Sequence, residues 1–174
     1  MTSLHRDSLN GSWILDKSRG NWQMKEYLET MQVDPLAIEA HEKGDRETDT
    51  IHTITLGNGK VQIVKRSRVN NDLTIDLDLG MEKVEYLSPG ERPKRIMAQS
   101  QHPGHLHLQS TLLTLNNGQA NVTDIKELIQ EEGRTTLAQR LTIVNEQTGK
   151  SHSVTRYFLP YLKTPPHLED AEGN

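Results

Sequence analysis

From Thr50 onward the sequence consists of short segments in which apolar and polar residues alternate. Alternation with a period of two is typical of β-strands with one buried face. One more segment of this kind, Ser12 to Lys17, lies near the start of the chain. The other predicted strands are 50–56, 60–69, 72–79, 82–87, 93–100, 105–115, 120–130, 134–144 and 151–159.

The residues between these segments are typical of tight turns, as in Gly57-Asn-Gly59 and Asn116-Asn-Gly118. Ten strands joined by short turns form an up-and-down antiparallel meander. Such a meander is most stable as a closed barrel, because closure removes the unpaired edges of the sheet. The sequence therefore predicts a mainly β protein built on a ten-stranded antiparallel barrel.

Two short helices are predicted between the first strand and the second. Asp34 and Pro35 form a typical helix start, and the second helix is expected over Leu36 to Glu42, with Gly44 as its stop. The first helix is indicated by four apolar residues at spacings of three and four, the period of one helical face: Met24, Tyr27, Leu28 and Met31.

The length and composition favour one small intracellular domain. A chain of 174 residues suits a single core. Its net charge of -4 without long charged blocks argues against a nucleic-acid partner. The chain has no cysteine, no apolar run long enough for a membrane span and no signal-peptide pattern at its start. We expect a cytoplasmic monomer without stable membrane insertion.

The fraction of large apolar residues is low, with 33% hydrophobic and 4% aromatic residues. Such a chain cannot fill a wide dry core, so a thin shell around a partly wet cavity is the better interpretation. The barrel domain is expected over residues 9–159, with an N-terminal tail at 1–8 and a flexible C-terminal tail at 160–174.

Five short motifs follow one another along residues 9–159: Leu9-Asn-Gly-Ser-Trp13, Met24 to Val33, Leu106-His-Leu-Gln109, Lys126-Glu-Leu-Ile129 and Thr155-Arg-Tyr-Phe158. Their order and spacing resemble those of the intracellular lipid-binding proteins, the family of fatty-acid-binding and cellular retinoid-binding proteins within the calycins. The resemblance implies a ten-stranded β-clam capped by two helices, with a fatty acid held inside by its carboxylate.

In that family two arginines and a tyrosine hold the carboxylate, and the matching positions here are Lys126, Arg156 and Phe158. Lysine lacks the planar fork of arginine, so bidentate recognition would fall to Arg156. Phenylalanine cannot donate a hydrogen bond. The resemblance implies that other residues line the cavity or its portal. The expected lining is Phe158, His107, Gln109, Leu137 and Gln139, and the expected portal is Met24, Tyr27, Leu28 and Met31.

The residues themselves leave alternatives open for both cations. Alternation places Arg156 and Phe158 on one face of the last strand. An inward guanidinium needs a carboxylate, because burying an unpaired charge costs several kcal/mol, roughly. That carboxylate could belong to a ligand, or to Glu127 or Asp124, and Arg156 could also point outward. Lys126 could be an ordinary solvated lysine.

The sequence also leaves open which face of strand 105–115 points into the barrel. His105, His107 and Gln109 share one face, whereas Leu106 and Leu108 share the other, and only the resemblance favours an inward His107 and Gln109. Two histidines at this spacing could reach a metal, with His102 as a third ligand. No cysteine or carboxylate accompanies them, so polar cavity lining explains them equally well and we predict no metal site.

No catalytic motif stands out. Gly57-Asn-Gly59-Lys60 is too short for a phosphate loop and is typical of a hairpin turn, and no nucleophile elbow occurs. We predict a non-enzymatic carrier, without a cofactor, that binds a hydrophobic carboxylate such as a long-chain fatty acid.

Three alternatives remain open at this stage. The altered clamp could suit a retinoid, another chromophore or a terpenoid. A buried Lys126 could act as a base or form an imine in an enzyme of the same architecture. A lipocalin shares the early Gly-x-Trp and a late arginine, but the helix pair after the first strand argues against it.

Overall fold

The computed structural model describes residues 4–66 and 73–162. Two helices, α1 (Lys25–Thr30) and α2 (Pro35–Glu47), follow the first strand. The strands are β1 (Gly11–Leu15), β2 (Ile51–Gly57), β3 (Lys60–Arg66), β4 (Leu73–Asp78), β5 (Lys83–Leu87), β6 (Arg92–Gln99), β7 (His105–Leu113), β8 (Gln119–Glu131), β9 (Arg134–Asn145) and β10 (Ser151–Pro160).

The ten strands form one antiparallel sheet in the order β4-β3-β2-β1-β10-β9-β8-β7-β6-β5. The sheet curls into a nearly closed barrel because β1 pairs with the last strand, with Leu15 opposite Phe158. The strands β4 and β5 lie at the two ends of this order. Between them, the Gly80 amide donates to the Ala98 carbonyl of β6 at 2.8 Å. The predicted barrel with two helices between its first two strands is confirmed.

The interior holds two apolar clusters. The first includes Trp13, Ile63, Leu106 and Phe158, all fully buried. The second lies where α1 meets the sheet: Met24, Tyr27, Leu112, Ala120, Leu141, Ile143 and Val154. Burying such side chains contributes roughly 1.5–3 kcal/mol each. The two clusters hold the barrel together while leaving room for polar groups between them.

Residues before β1 lie on the barrel. The backbone amide of Arg6 donates to the Thr135 hydroxyl at 2.8 Å, and its guanidinium lies 4.5 Å from the centre of the Trp13 ring. The Leu4 carbonyl accepts from the Thr135 amide at 2.9 Å. The described part of the predicted 1–8 tail is therefore docked on β9 and Trp13. Most of the predicted 160–174 tail lies outside the described residues.

The second helix runs further than its sequence predicts. The Asp34 carboxylate caps its start by accepting from the Leu36 amide at 2.8 Å. The expected stop at Gly44 is wrong, since α2 continues to Glu47 and the Thr48 amide donates a hydrogen bond to the Gly44 carbonyl at 3.0 Å. Gly44 and Asp45 are buried. Their tertiary contacts outweigh the weak helix propensity of glycine, and this brings Asp45 over the barrel interior.

None of the helices in the described ranges is long and apolar enough to cross a membrane.

Candidate functional site

A row of polar side chains crosses three neighbouring strands inside the barrel. In the strand registers Arg156 of β10 is opposite Gln139 of β9, and Gln139 is opposite Lys126 of β8. These three residues are at most 5% exposed. Asp124, two residues before Lys126, shares the same face and is also buried. The alternation of β8, β9 and β10 therefore places two cations and one carboxylate within a short stretch of the inner wall.

Lys126 is paired within the protein. Its ammonium Nζ lies 2.7 Å from Asp124 Oδ2, and Gln139 Nε2 donates to the same oxygen at 3.1 Å. Burial raises the pKa of Asp124, but the charges of Lys126 and Lys65 and these hydrogen bonds outweigh burial, so the pKa of Asp124 is lowered. Asp124 thus stays ionised in the barrel and forms an ion pair with Lys126.

Arg156 is paired with the helical lid, α1 and α2. Its guanidinium Nη2 lies 3.0 Å from Oδ2 of Asp45, near the end of α2. The Thr50 hydroxyl donates to the other Asp45 oxygen at 2.9 Å. Burial lowers the pKa of Arg156 and the Asp45 charge opposes this. Nε of Arg156 is buried and has no hydrogen-bond partner among the described residues.

The inward orientation expected for Arg156 is present, but its protein partner differs from those considered. Neither Glu127 nor Asp124 hydrogen-bonds Arg156 within the described part of the chain. Asp45 takes that place, and it is 111 residues away in the sequence. The sequence did not indicate this partner, because the predicted helix stopped at Gly44 and Asp45 lay outside any predicted element.

A cavity of about 380 Å³ lies between the lid and the sheet. Its apolar lining includes Met24, Tyr27, Leu73 and Leu141. Its polar lining includes Asp45, Gln139 and Arg156 from the two pairs above, together with His41, Thr50, His52, Lys65 and Arg66. The cavity combines an apolar part under α1 with a polar wall, which is the usual composition of a small-molecule site.

Lys65 of β3 is a cavity residue that the sequence did not single out. It shares the inner face of β3 with the buried Val61 and Ile63 and is itself half-buried. Desolvation and the neighbouring charge of Lys126 together lower the pKa of Lys65 to about 8, although the charge of Asp124 opposes this shift. The sequence did contain a signal for this residue, because Lys65 follows Val61 and Ile63 at a spacing of two and so lies on the same strand face.

His52 of β2 lies directly across the ladder from Lys65. Its ring packs against that of Phe158 at a tilt of 33°, with the ring centres 4.7 Å apart. Desolvation sets the pKa of His52 well below 6.5, with a further contribution from Lys65. The His41 pKa is also lowered, mainly by burial. Both imidazoles are therefore neutral near pH 7, and neither adds a charge to the site.

The other candidate lining and portal residues fall in three groups. Gln139, Met24 and Tyr27 line the cavity. Phe158 and Leu137 lie in the first apolar cluster. Leu28 and Met31 pack against the second apolar cluster.

The expectation that His107 and Gln109 line the cavity is wrong. The inner face of β7 carries Leu106 and Leu108, which are buried together with Ser110 and Leu112, whereas Gln109 is exposed and accepts from the Thr123 hydroxyl on the outer face. Burying two leucines is favourable, whereas burying the imidazole and amide would require hydrogen-bond partners for both. Within residues 4–66 and 73–162, no cluster of three or more potential metal ligands is present.

No protein-family model and no curated protein sequence matches this chain. Solved structures do match it. Apo lipid binding protein 8 of Caenorhabditis elegans is 17% identical with a TM-score of 0.61, covering 92% of this chain and 100% of that one. A Schistosoma mansoni fatty acid binding protein in complex with arachidonic acid is 13% identical with a TM-score of 0.60, and the same shares are covered.

A fatty acid-binding protein from brain tissue of Drosophila melanogaster is 17% identical with a TM-score of 0.62, covering 87% of this chain and 99% of that one. The chain therefore has the fold of the intracellular lipid-binding proteins, as the sequence motifs predicted.

Proposed function

We propose that this protein binds and carries a hydrophobic small molecule in the cavity between the lid and the sheet. The first candidate is a long-chain fatty acid, with its carboxylate near Arg156 and its chain against the apolar lining. The protein acts as a carrier and not as an enzyme. The fold of the Schistosoma mansoni protein, solved with arachidonic acid, supports this assignment.

The observation that carries the proposal is the excess of positive charge at the polar wall. Arg156, Lys126 and Lys65 are three cations, and Asp45 and Asp124 are two carboxylates. Both histidines at the cavity are neutral near pH 7, and Lys94 of β6 adds to the positive field. One anionic headgroup would restore the balance in a poorly solvated region, where an unmatched charge is costly.

Two of the cations that line the cavity, Arg156 and Lys65, can contact that headgroup. Nε of Arg156 and the ammonium of Lys65 have no hydrogen-bond partner among the described residues. Lys126 does not line the cavity and is held by Asp124. We therefore assign direct contact to Arg156 and Lys65. Lys126 acts by compensating Asp124, which would otherwise repel an anion.

The lid is the proposed entrance. The cavity is lined by α2 residues on one side and by Leu73 at the start of β4 on the other. Met24 and Tyr27 cover it from the α1 side, with Leu28 and Met31 packed behind them. Methionine side chains repack easily, which suits a surface that a chain must pass. A neutral retinoid or terpenoid could use the same apolar surface but would leave the positive charge unmatched.

The pairing with Asp124 argues against the competing hypothesis of a Lys126-based enzyme. A lysine that acts as a base or as a nucleophile must be unprotonated and must reach the substrate. Lys126 is fully buried, ion-paired at 2.7 Å and away from the cavity lining.

A displacement titration tests the carrier function. An environment-sensitive fatty-acid probe is expected to bind one to one, and a series of C12 to C20 acids should displace it. Burial of each methylene contributes about 0.8 kcal/mol, so displacement should strengthen with chain length until the cavity is filled. Failure of every acid in the series to displace the probe would contradict the fatty-acid assignment.

A further inference from the structure

Lys65 differs from Lys126 and Arg156 because none of the described residues pairs with its ammonium. The structure gives its ammonium no hydrogen bond and no ion pair within residues 4–66 and 73–162, yet the side chain lines the cavity. Lys126 is held by Asp124, and Arg156 is held by Asp45. Lys65 is therefore the amine in this site that is free to meet a ligand.

The surroundings of Lys65 suit an electrophilic apolar ligand. Tyr27, Leu73 and Leu141 provide apolar surface around the same cavity. His52 is opposite Lys65 in the β2–β3 ladder and on the same face, which places the two Cβ atoms about 5 Å apart. Its ring is neutral near pH 7 and adds no charge beside the amine.

We infer that Lys65 is a covalent binding site for long-chain aldehydes, which it captures reversibly as an imine. This inference rests on the proposed function, because it requires that the cavity admit an alkyl chain. It differs from that function in the ligand's headgroup and in the bond formed.

The reaction needs no reagent beyond the amine and the aldehyde. The unprotonated Nζ attacks the carbonyl carbon, a C–N bond forms, and the carbonyl π electrons move to the oxygen. A proton passes from nitrogen to that oxygen. The resulting carbinolamine loses water, so amine plus aldehyde gives imine plus water with no change in oxidation state.

The charges that face Lys65 favour the unprotonated amine. Desolvation and then Lys126, Lys94 and Arg156 lower its pKa, whereas Asp124 raises it, and the net value is about 8. His52 and His41 on β2 and α2 are neutral, and Asp45 is engaged by Arg156. An ordinary lysine has a pKa of about 10.4. Near pH 8, Lys65 is therefore about half unprotonated, while a surface lysine is almost fully charged.

Reductive trapping tests the inference. The full chain is incubated with dodecanal and cyanoborohydride between pH 6.5 and 10, and the labelled lysines are located by peptide mass spectrometry. We expect labelling of Lys65 to rise with a midpoint near pH 8 and to exceed that of Lys60 at least tenfold at pH 7.5. Lys60 is the matched control because it is exposed on the same strand. The Lys65→Arg variant should lose the dominant adduct and Lys60→Arg should keep it.

Labelling spread over surface lysines, or a dominant adduct that survives Lys65→Arg in a variant with native circular dichroism, would overturn the inference. The two proposals can be separated with oleate. If oleate binds one to one and Lys65 is not labelled, the imine site is refuted and the carrier function stands. If Lys65 is labelled and oleate neither binds nor protects it, the imine site stands and the fatty-acid assignment fails.

Discussion

Replacing Lys126 by methionine is expected to lower the free energy of unfolding by about 3–5 kcal/mol, the usual cost of leaving a buried ion-pair partner alone. The substitution keeps an unbranched side chain that is one atom shorter, and it removes the charge that faces Asp124 at 2.7 Å. Asp124 would then be a buried carboxylate without its main counter-charge. Urea denaturation followed by circular dichroism measures the loss.

Two control variants define the origin of this loss. The double variant Asp124→Leu with Lys126→Met should recover most of the stability, because no charge is left unpaired. Arg95→Met breaks an exposed pair of similar length, 2.8 Å from Glu82, and should cost less than about 1 kcal/mol. If Lys126→Met costs no more than Arg95→Met, the buried pair does not contribute as described.

The same pair gives the stability a defined pH dependence. The pKa of Asp124 is lowered on folding, so its contribution is present above the unfolded pKa of about 3.9. The contribution is lost as the pH falls through the lower folded value. The wild type should therefore lose stability relative to the double variant as the pH falls below about 4.

The largest effect on ligand binding is expected for Arg156→Gln, which should weaken fatty-acid binding by about 10- to 100-fold. Charge-assisted hydrogen bonds contribute roughly 1.5–3 kcal/mol each, and besides its bond to Asp45 the guanidinium has an Nε that bonds to none of the described residues. Lys126→Gln should weaken binding less, because that ammonium is engaged by Asp124. Probe displacement by oleate, at a temperature where both variants are folded, measures the two effects.

Asp45→Asn is the informative control for this comparison. The Asp45 carboxylate occupies Arg156 at 3.0 Å and would compete with the carboxylate of a ligand. Removing its charge should leave acid binding unchanged or stronger, in contrast to Arg156→Gln. Equal and negligible effects of Arg156→Gln and Lys126→Gln would mean that neither residue faces the ligand.

The strands could be predicted from the sequence because their determinants are local. Alternation and turn residues fix where each strand begins and ends, as at Gly57-Asn-Gly59 between β2 and β3. The end of α2 could not be found in this way. Gly44 is a stop signal in isolation, and only the burial of Asp45 against Arg156 extends the helix beyond it.

The site was harder to predict from the sequence than the strands, because alternation defines the two faces of a strand but does not show which face points inward. On β7 the resemblance to known motifs selected His107 and Gln109, whereas the burial of Leu106 and Leu108 decided otherwise. The partners of the cations depend on contacts between distant parts of the chain. Arg156 and Asp45 are 111 residues apart, and no local pattern links them.

We propose that the positive wall of the cavity selects an anionic headgroup on an alkyl chain. Matched titrations with palmitate and hexadecanol, against the wild type and Arg156→Gln, test it most directly because the two ligands share the chain and differ in charge. We expect the wild type to bind one palmitate at least tenfold more tightly than hexadecanol, and Arg156→Gln to lose most of that preference. Equal affinity of the wild type for acid and alcohol, or an undiminished preference in Arg156→Gln, would contradict the account.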